Sequence, residues 1–195
     1  MDEKLSYALG LTMGNSFFAN GIKSLNMEEF TRAFTTGLHG EEADMNFNEA
    51  TNLVNEHMKR LQLEAYRNNS LEGKDFLEEN KKKEGVKVTP SGLQYEVIHT
   101  EPGRMPSKTD RVKVHYTGKL ISGKVFDSSR DRDIPAVFGV TQVIPGWTEG
   151  LQLMSVGSIY RFYIPENLAY GERAMGTLIP PGSTLIFDVE LLDIL

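Results

Sequence analysis

Two periodicities divide the chain. Leu5, Leu9, Thr12/Met13 and Ser16/Phe17 recur at three- and four-residue steps, the repeat of one helical face. Asn26 followed by Glu29 predicts a helix cap with its reciprocal partner, and Phe30, Ala33, Phe34 and Leu38 form the stripe behind it. Asn46 and Glu49 repeat that signature. From there to about Lys83 only Gly73 weakens a helix, so the segment predicts one of ~38 residues, roughly 57 Å at ~1.5 Å per residue. The alternative is a break near Asn68-Asn69-Ser70 into two ordinary helices. Leu53, Val54, His57 and Leu61 give the first part an apolar seam. Lys74 to Glu84 is mostly charged and predicts a solvated connecting rod.

After Gly85 the period falls to two. Leu93, Tyr95 and Val97 alternate with Gln94, Glu96 and Ile98; Val112, Val114 and Tyr116 alternate with Lys113, His115 and Thr117. Tyr160, Phe162, Ile164 and then Leu185, Phe187, Val189, Leu191 keep the same rule, that of strands with one buried face. Turn chemistry separates them, at Thr89-Pro90-Ser91-Gly92, Glu101-Pro102-Gly103, Ser122-Gly123 and Ile179-Pro180-Pro181-Gly182-Ser183. One short helix is expected between Pro145 and Met154, with Trp147, Leu151 and Met154 on one side. The fold class is α+β: an all-helical half with a long linking helix over residues 1–84, then an antiparallel sheet wrapped around one short helix over 85–195.

The helical half poses a packing problem. Met13, Phe17, Phe18, Phe30 and Phe34 are more apolar surface than three helices obviously hide. Below about 70–80 residues a core rarely supplies more than about 3–5 kcal/mol, and oligomerisation is a usual remedy. A homodimer through residues 1–60 is expected.

Composition narrows the function classes. A chain of 195 residues with 39% hydrophobic and 25% charged positions is an ordinary globular protein. No apolar run approaches the ~20 residues of a membrane span. Met1-Asp2-Glu3-Lys4 does not lead into an apolar signal core, so a cytoplasmic chain is expected, the alternative being an exported one whose signal peptide has been removed. The net charge of −6 is concentrated in residues 1–84, with 10 Lys and Arg against 15 Asp and Glu, which disfavours nucleic-acid binding. The absence of cysteine removes thiolate chemistry and disulfides. No Gly-rich phosphate loop follows a strand and no His pair has ligand spacing, so neither a cofactor nor a metal is expected. Strand parity turns His115 away from Val114 and Tyr116, as a surface residue. Ser128 and Ser129 lack a nucleophile-elbow context.

What remains is aromatic. Tyr116, Phe126, Phe138, Trp147, Tyr170 and Phe187, with Val143, Ile144 and Ile179, could line an apolar concavity with phenol and indole donors at its rim. Equally, they could simply be the core of a small domain.

Five blocks bear on that choice: Val112-Lys-Val-His-Tyr-Thr-Gly118, Gly123-Lys-Val-Phe-Asp-Ser-Ser129, Val143-Ile-Pro-Gly-Trp147, Ala169-Tyr-Gly-Glu172 and the run from Ile179 to Leu192. In order and spacing they resemble the FKBP family of peptidyl-prolyl cis–trans isomerases. The first half resembles the dimerisation domain of bacterial FKBPs related to the macrophage infectivity potentiator, in their cytoplasmic branch. The resemblance implies a substrate pocket of Tyr116, Phe126, Asp127, Val143, Ile144, Trp147, Tyr170, Ile179 and Phe187, and Phe138 and Arg132 are also expected to bind substrate. Trp147 would form its floor, Tyr170 a hydrogen-bond donor at its edge and Asp127 its single buried acid. It also implies proline-containing unfolded or nascent polypeptides as substrates, and macrolides of the FKBP class as possible inhibitors. Asp127 has two readings, one in which it senses the twisting amide or orients Tyr116, and one in which it pairs with Arg132. Two rim positions depart from the family pattern, with Ala136 after the loop proline and Met175 where some members have His. A holdase or binding module using the same pocket is the alternative function.

Overall fold

The computed structural model describes residues 2–195. Three helices open it: α1 (Glu3–Ala19), α2 (Met27–His39) and α3 (Phe47–Asn80). Their starts follow the cap chemistry of the sequence. Asp2 accepts from the Lys4 N–H, Asn26 from the N–H groups of Glu28 and Glu29, and Asn46 from that of Glu49. The Glu29 carboxylate turns to Arg32 rather than back to its cap. Gly40, in the left-handed region at φ 67°, ends α2.

The chain divides into two compact units, one ending at Leu63 and one comprising Glu64–Leu195. In the first, Phe17 meets Phe30 edge-on at 5.8 Å and Phe30 stacks on Phe34 at 5.9 Å. No residue from 2 to 63 is buried. Phe18 and Leu38 are each 69% exposed and Phe47 84%.

The second unit is built on one antiparallel sheet. Its strands are β1 (Lys87–Val88), β2 (Gln94–His99), β3 (Arg111–Leu120), β4 (Val125–Ser128), β5 (Ala136–Gly139), β6 (Ile159–Ile164) and β7 (Leu185–Ile194). They lie in the order β1-β2-β6-β7-β3-β4, with β5 also paired to β3. The period-two pattern predicted the buried face: Val112, Val114, Tyr116, Phe162, Ile164, Leu185, Phe187, Val189 and Leu191 all enter the core. The short helix α4 (Pro145–Leu151) packs on this face through Trp147 and Leu151, followed by Met154. It lies close because Gly146 and Gly150 face the sheet. A Cβ on them would fall 2.5 Å from Ile164 Cγ2 and 2.7 Å from Phe162 Cε1.

α3 runs unbroken through Asn68-Asn69-Ser70 and Gly73 for 34 residues and stops at Asn80, short of Lys83. Its charged second half is not the solvated rod expected. Leu77 is buried with Tyr163 and Ile186 on the sheet's other face, joined by Phe76 and Ile121. Asn80, 1% exposed, donates to Gln94 Oε1 at 3.0 Å, while Gln94 Nε2 donates to the Leu77 carbonyl at 2.8 Å. Gln94, expected on a polar face, is therefore buried and hydrogen-bonded. Among the described residues no helix is long and apolar enough to cross a membrane.

Candidate active site

On the inner face of the sheet lies a cavity of about 710 Å³. β3 contributes Tyr116, β4 Phe126 and Asp127, β5 Phe138 and β7 Phe187. Val143 and Ile144 lead into α4, which presents Trp147. The β6–β7 connection closes the remaining side with Tyr170, Met175, Leu178 and Ile179. The concavity and core readings of these rings are reconciled, because Tyr116, Trp147 and Phe187 belong to the core, Phe126, Phe138 and Tyr170 pack against it, and all six line the hollow.

The rings leave a hollow because they stand on edge. Trp147 meets Tyr116 at 5.3 Å and 87°, Phe187 at 5.2 Å and 86°, and Phe138 at 5.9 Å and 89°. Electron-poor ring edges on an electron-rich face are the favoured contact. Tyr116, Phe138 and Phe187 thus all surround the indole at near-right angles. Gly118 makes room for two of them, since a Cβ there would lie 2.6 Å from both Phe126 Cε2 and Phe187 Cε1. Trp147 is 4% exposed and its Nε1–H has no partner among the described residues.

The polar apparatus centres on Asp127, the one carboxylate on the lining. Its Oδ2 accepts from the Tyr116 hydroxyl and its Oδ1 from Arg132 Nη1. Arg132 also reaches the Tyr116 hydroxyl at 3.4 Å. The two readings of Asp127 are therefore simultaneous, one per oxygen. It is not the buried acid expected, because its side chain is 40% exposed and ion-paired. Burial alone would raise its pKa, but the hydrogen bonds from Tyr116 and Arg132, with the guanidinium charge, hold it below the usual carboxylate range. Burial in turn pushes the Tyr116 phenol up, with Asp127 adding to it. The Tyr170 phenol is raised by burial and then by Asp127, so both phenols remain donors at neutral pH.

Every predicted pocket residue lines the cavity except Arg132, which acts on it through Asp127. Gln142 and Leu178 were not foreseen. Gln142 carries no motif and earns its position by accepting from the Gly139 N–H at 3.1 Å. Met175 is at the rim as expected. Ala136 is not: it sits opposite Val114 and packs into the core, leaving Phe138, two residues on, to reach the cavity. His115 is half-buried rather than a free surface residue, with Nδ1 3.0 Å from the Ser129 hydroxyl.

Such a site offers no nucleophile and no proton shuttle. It can bind an apolar segment, donate hydrogen bonds from its edge and favour a less polar form of what it binds.

Comparison with known proteins agrees with this chemistry. Residues 103–192 match the family of the FKBP-type peptidyl-prolyl cis-trans isomerase, and residues 2–97 match the domain amino terminal to it. The chain is similar to the FKBP-type 22 kDa peptidyl-prolyl cis-trans isomerase of Escherichia coli, at 45% identity over 198 residues that cover 100% of this chain and 96% of that protein. It is 39% identical to the outer membrane protein MIP of Legionella longbeachae, covering 98% of this chain and 85% of that one. The crystal structure of FkpA from Escherichia coli superposes with a TM-score of 0.76 at 34% identity, covering 99% of this chain and 96% of that one. Matched in both halves and along its length, the chain belongs to the FKBP-type peptidyl-prolyl cis–trans isomerases, enzymes that assist folding by turning the amide bond before proline.

Proposed function

We propose that the ring-walled cavity is where the X–Pro amide turns, with Tyr116, Phe126, Asp127, Trp147, Tyr170 and Phe187 touching the reacting segment. Val143, Ile144, Ile179 and Phe138 bind the flanking chain, and Arg132 holds Asp127. Resonance sets a rotation barrier of about 18–20 kcal/mol, although the two isomers of X–Pro differ by only about 0.5–1 kcal/mol. At the top of the barrier the amide has lost resonance and with it much of its charge separation. An apolar enclosure stabilises that twisted form relative to the planar one, and no bond to the enzyme is needed. A stabilisation of ~5.4 kcal/mol corresponds to about 10⁴-fold in rate.

The observation that carries this reading is the hollow itself: rings arranged as walls around the Trp147 floor, with one acid already committed to Tyr116 and Arg132. Tyr170 is the phenol left to meet a substrate carbonyl. Titrating a proline tetrapeptide into the labelled protein is expected to shift the resonances of Trp147, Tyr170 and Phe187 and to leave Tyr7 unmoved. Shifts confined to the first unit would remove the reading. The cavity volume lies within the ~300–1,000 Å³ of drug-sized sites, so macrolides of the FKBP class are expected to compete with the peptide.

We further propose that the chain is a homodimer through residues 1–60. Leu9, Met13, Phe17, Phe30 and Phe34 line a hollow of about 410 Å³ in a unit none of whose described residues is buried. Such a unit cannot offset the conformational entropy of its own ordering by burial. Residues 1–84 would then serve association and linkage, and residues 85–195 catalysis. Light scattering at micromolar concentration is expected to give twice the 21.9 kDa chain mass. Phe17→Glu with Phe30→Glu is expected to return it to a monomer or unfold the first unit. One relative bears the name of an outer membrane protein. Fractionation of cells carrying the natural gene decides the compartment.

A further inference from the structure

One wall of the cavity hangs on a long connection, residues 166–182, which carries Tyr170, Met175, Leu178 and Ile179. Its internal bonds close it on itself. The Gly182 N–H donates to the Gly171 carbonyl at 2.8 Å, and Met175 and Ile179 exchange bonds of 2.9 and 3.3 Å. Those bonds shape the loop but do not aim it at the cavity. Contacts from α3 meet both of its ends.

At the leading end Glu166 Oε1 accepts from the Tyr66 hydroxyl at 3.3 Å and from Ser70 Oγ at 3.4 Å. At the trailing end Asn69 Nδ2 donates to the carbonyl of buried Pro181 at 2.8 Å. Backbone meets backbone beside it. Gly182 has φ 76°, and a Cβ there would stand 2.5 Å from the Tyr66 carbonyl oxygen. Two turns along α3 from Tyr66, a Cβ on Gly73 would lie 2.3 Å from Thr184 Oγ1. Tyr66, Asn69, Ser70 and Gly73 follow the three-and-four spacing of a single helical face. That face is polar or small throughout, as fits contact with the backbone of a loop rather than with an apolar core.

We infer that this face of α3 is a positioning element of the isomerase: Tyr66, Asn69 and Ser70 hold both ends of loop 166–182 so that Tyr170 and Ile179 stand where a prolyl segment can enter. The inference rests on the cavity being the proline site. A rim fixed before binding spares the substrate the entropy of ordering it. Loosening it is therefore felt first in KM. It is also felt in the preference for the residue before proline, because Met175 and Leu178 border that approach.

The test measures the full chain on tetrapeptides with Leu, Ala or Glu before proline. Asn69→Ala and Glu166→Ala are each expected to lower kcat/KM by about twofold to tenfold, the value of the hydrogen bonds removed. The loss should fall mainly in KM and flatten the order of preference among the three peptides. Glu166→Gln keeps the accepting oxygen and is expected to restore both. Tyr66→Phe removes only a hydroxyl and serves if Asn69→Ala does not fold. Wild-type KM and preference in the positioning variants, beside an impaired Trp147→Ala, overturn the clamp and leave the pocket standing. An unimpaired Trp147→Ala overturns the pocket and the clamp with it.

Discussion

Trp147→Ala is expected to lose about 3–5 kcal/mol of stability, the usual cost of emptying a large aromatic site. It is also expected to lose more than about tenfold in kcat/KM at temperatures where it stays folded, or ~1.4 kcal/mol of transition-state binding. The indole meets Tyr116, Phe138 and Phe187 at near-right angles. Without it those three rings lose a shared neighbour and are expected to collapse into the space it leaves. Trp147→Phe is the informative companion. It keeps an aromatic face and discards an indole N–H that has no partner among the described residues. Removing an unpaired buried donor costs little, so Phe should recover most of the stability and part of the turnover. Urea unfolding and a proline-peptide assay measure both. An alanine variant with wild-type turnover would show that the amide is twisted elsewhere.

Asp127→Ala is expected to reduce turnover about tenfold, ~1.4 kcal/mol, while the domain stays folded. The substitution takes the acceptor from the Tyr116 hydroxyl and frees Arg132. A mostly buried phenol left without its partner costs about 1–3 kcal/mol, and Tyr116 then turns within the wall it forms. The pH profile follows from the direction of the shift. Asp127 is more acidic folded than unfolded, so what its charge contributes is complete above the unfolded value of ~3.9 and is lost as pH falls through the lower, folded one. Activity should therefore be level from about pH 5 to 8 and fall only in stronger acid. An inflection near neutrality would point to another group. Asp127→Asn tests the charge alone: it retains an acceptor for Tyr116 while weakening the pair with Arg132. An Asp127→Ala enzyme of unchanged turnover would leave the carboxylate with a purely structural part.

Isomerisation without covalent chemistry, as proposed for this cavity, fits the character of its lining. The lining is apolar apart from a few donors and one neutralised acid. The donors are two phenols that both stay protonated at neutral pH. Nothing in it needs to ionise during the reaction, which is why a level pH profile is the natural expectation.

Much of the fold could be read in advance because the signals are local. A period of two along Val112-Val114-Tyr116 and Leu185-Phe187-Val189-Leu191 states which side chains share a face, whatever the partner strand. Asn26 and Asn46 announce helix starts through bonds that close within three residues. The pocket residues were legible only through the five blocks and their order. Composition alone left the same rings as core or as cavity lining, and they turn out to serve as both.

What escaped the sequence lies in contacts between distant segments. The charged stretch ending α3 conceals Leu77 and Asn80, whose burial depends on a sheet face displaying Tyr163 and Ile186. Asp127 cannot declare from its neighbours that it has an oxygen for each of two partners. Ala136 falls into the core because its register opposite Val114 puts it there. The contacts of Tyr66 with Glu166 and of Asn69 with Pro181 span 100 and 112 residues. Periodicity determines which face of an element is apolar, since backbone geometry repeats along it. Which element covers that face, and how wide a hollow remains between them, is set by side chains that meet only once the chain has closed on itself.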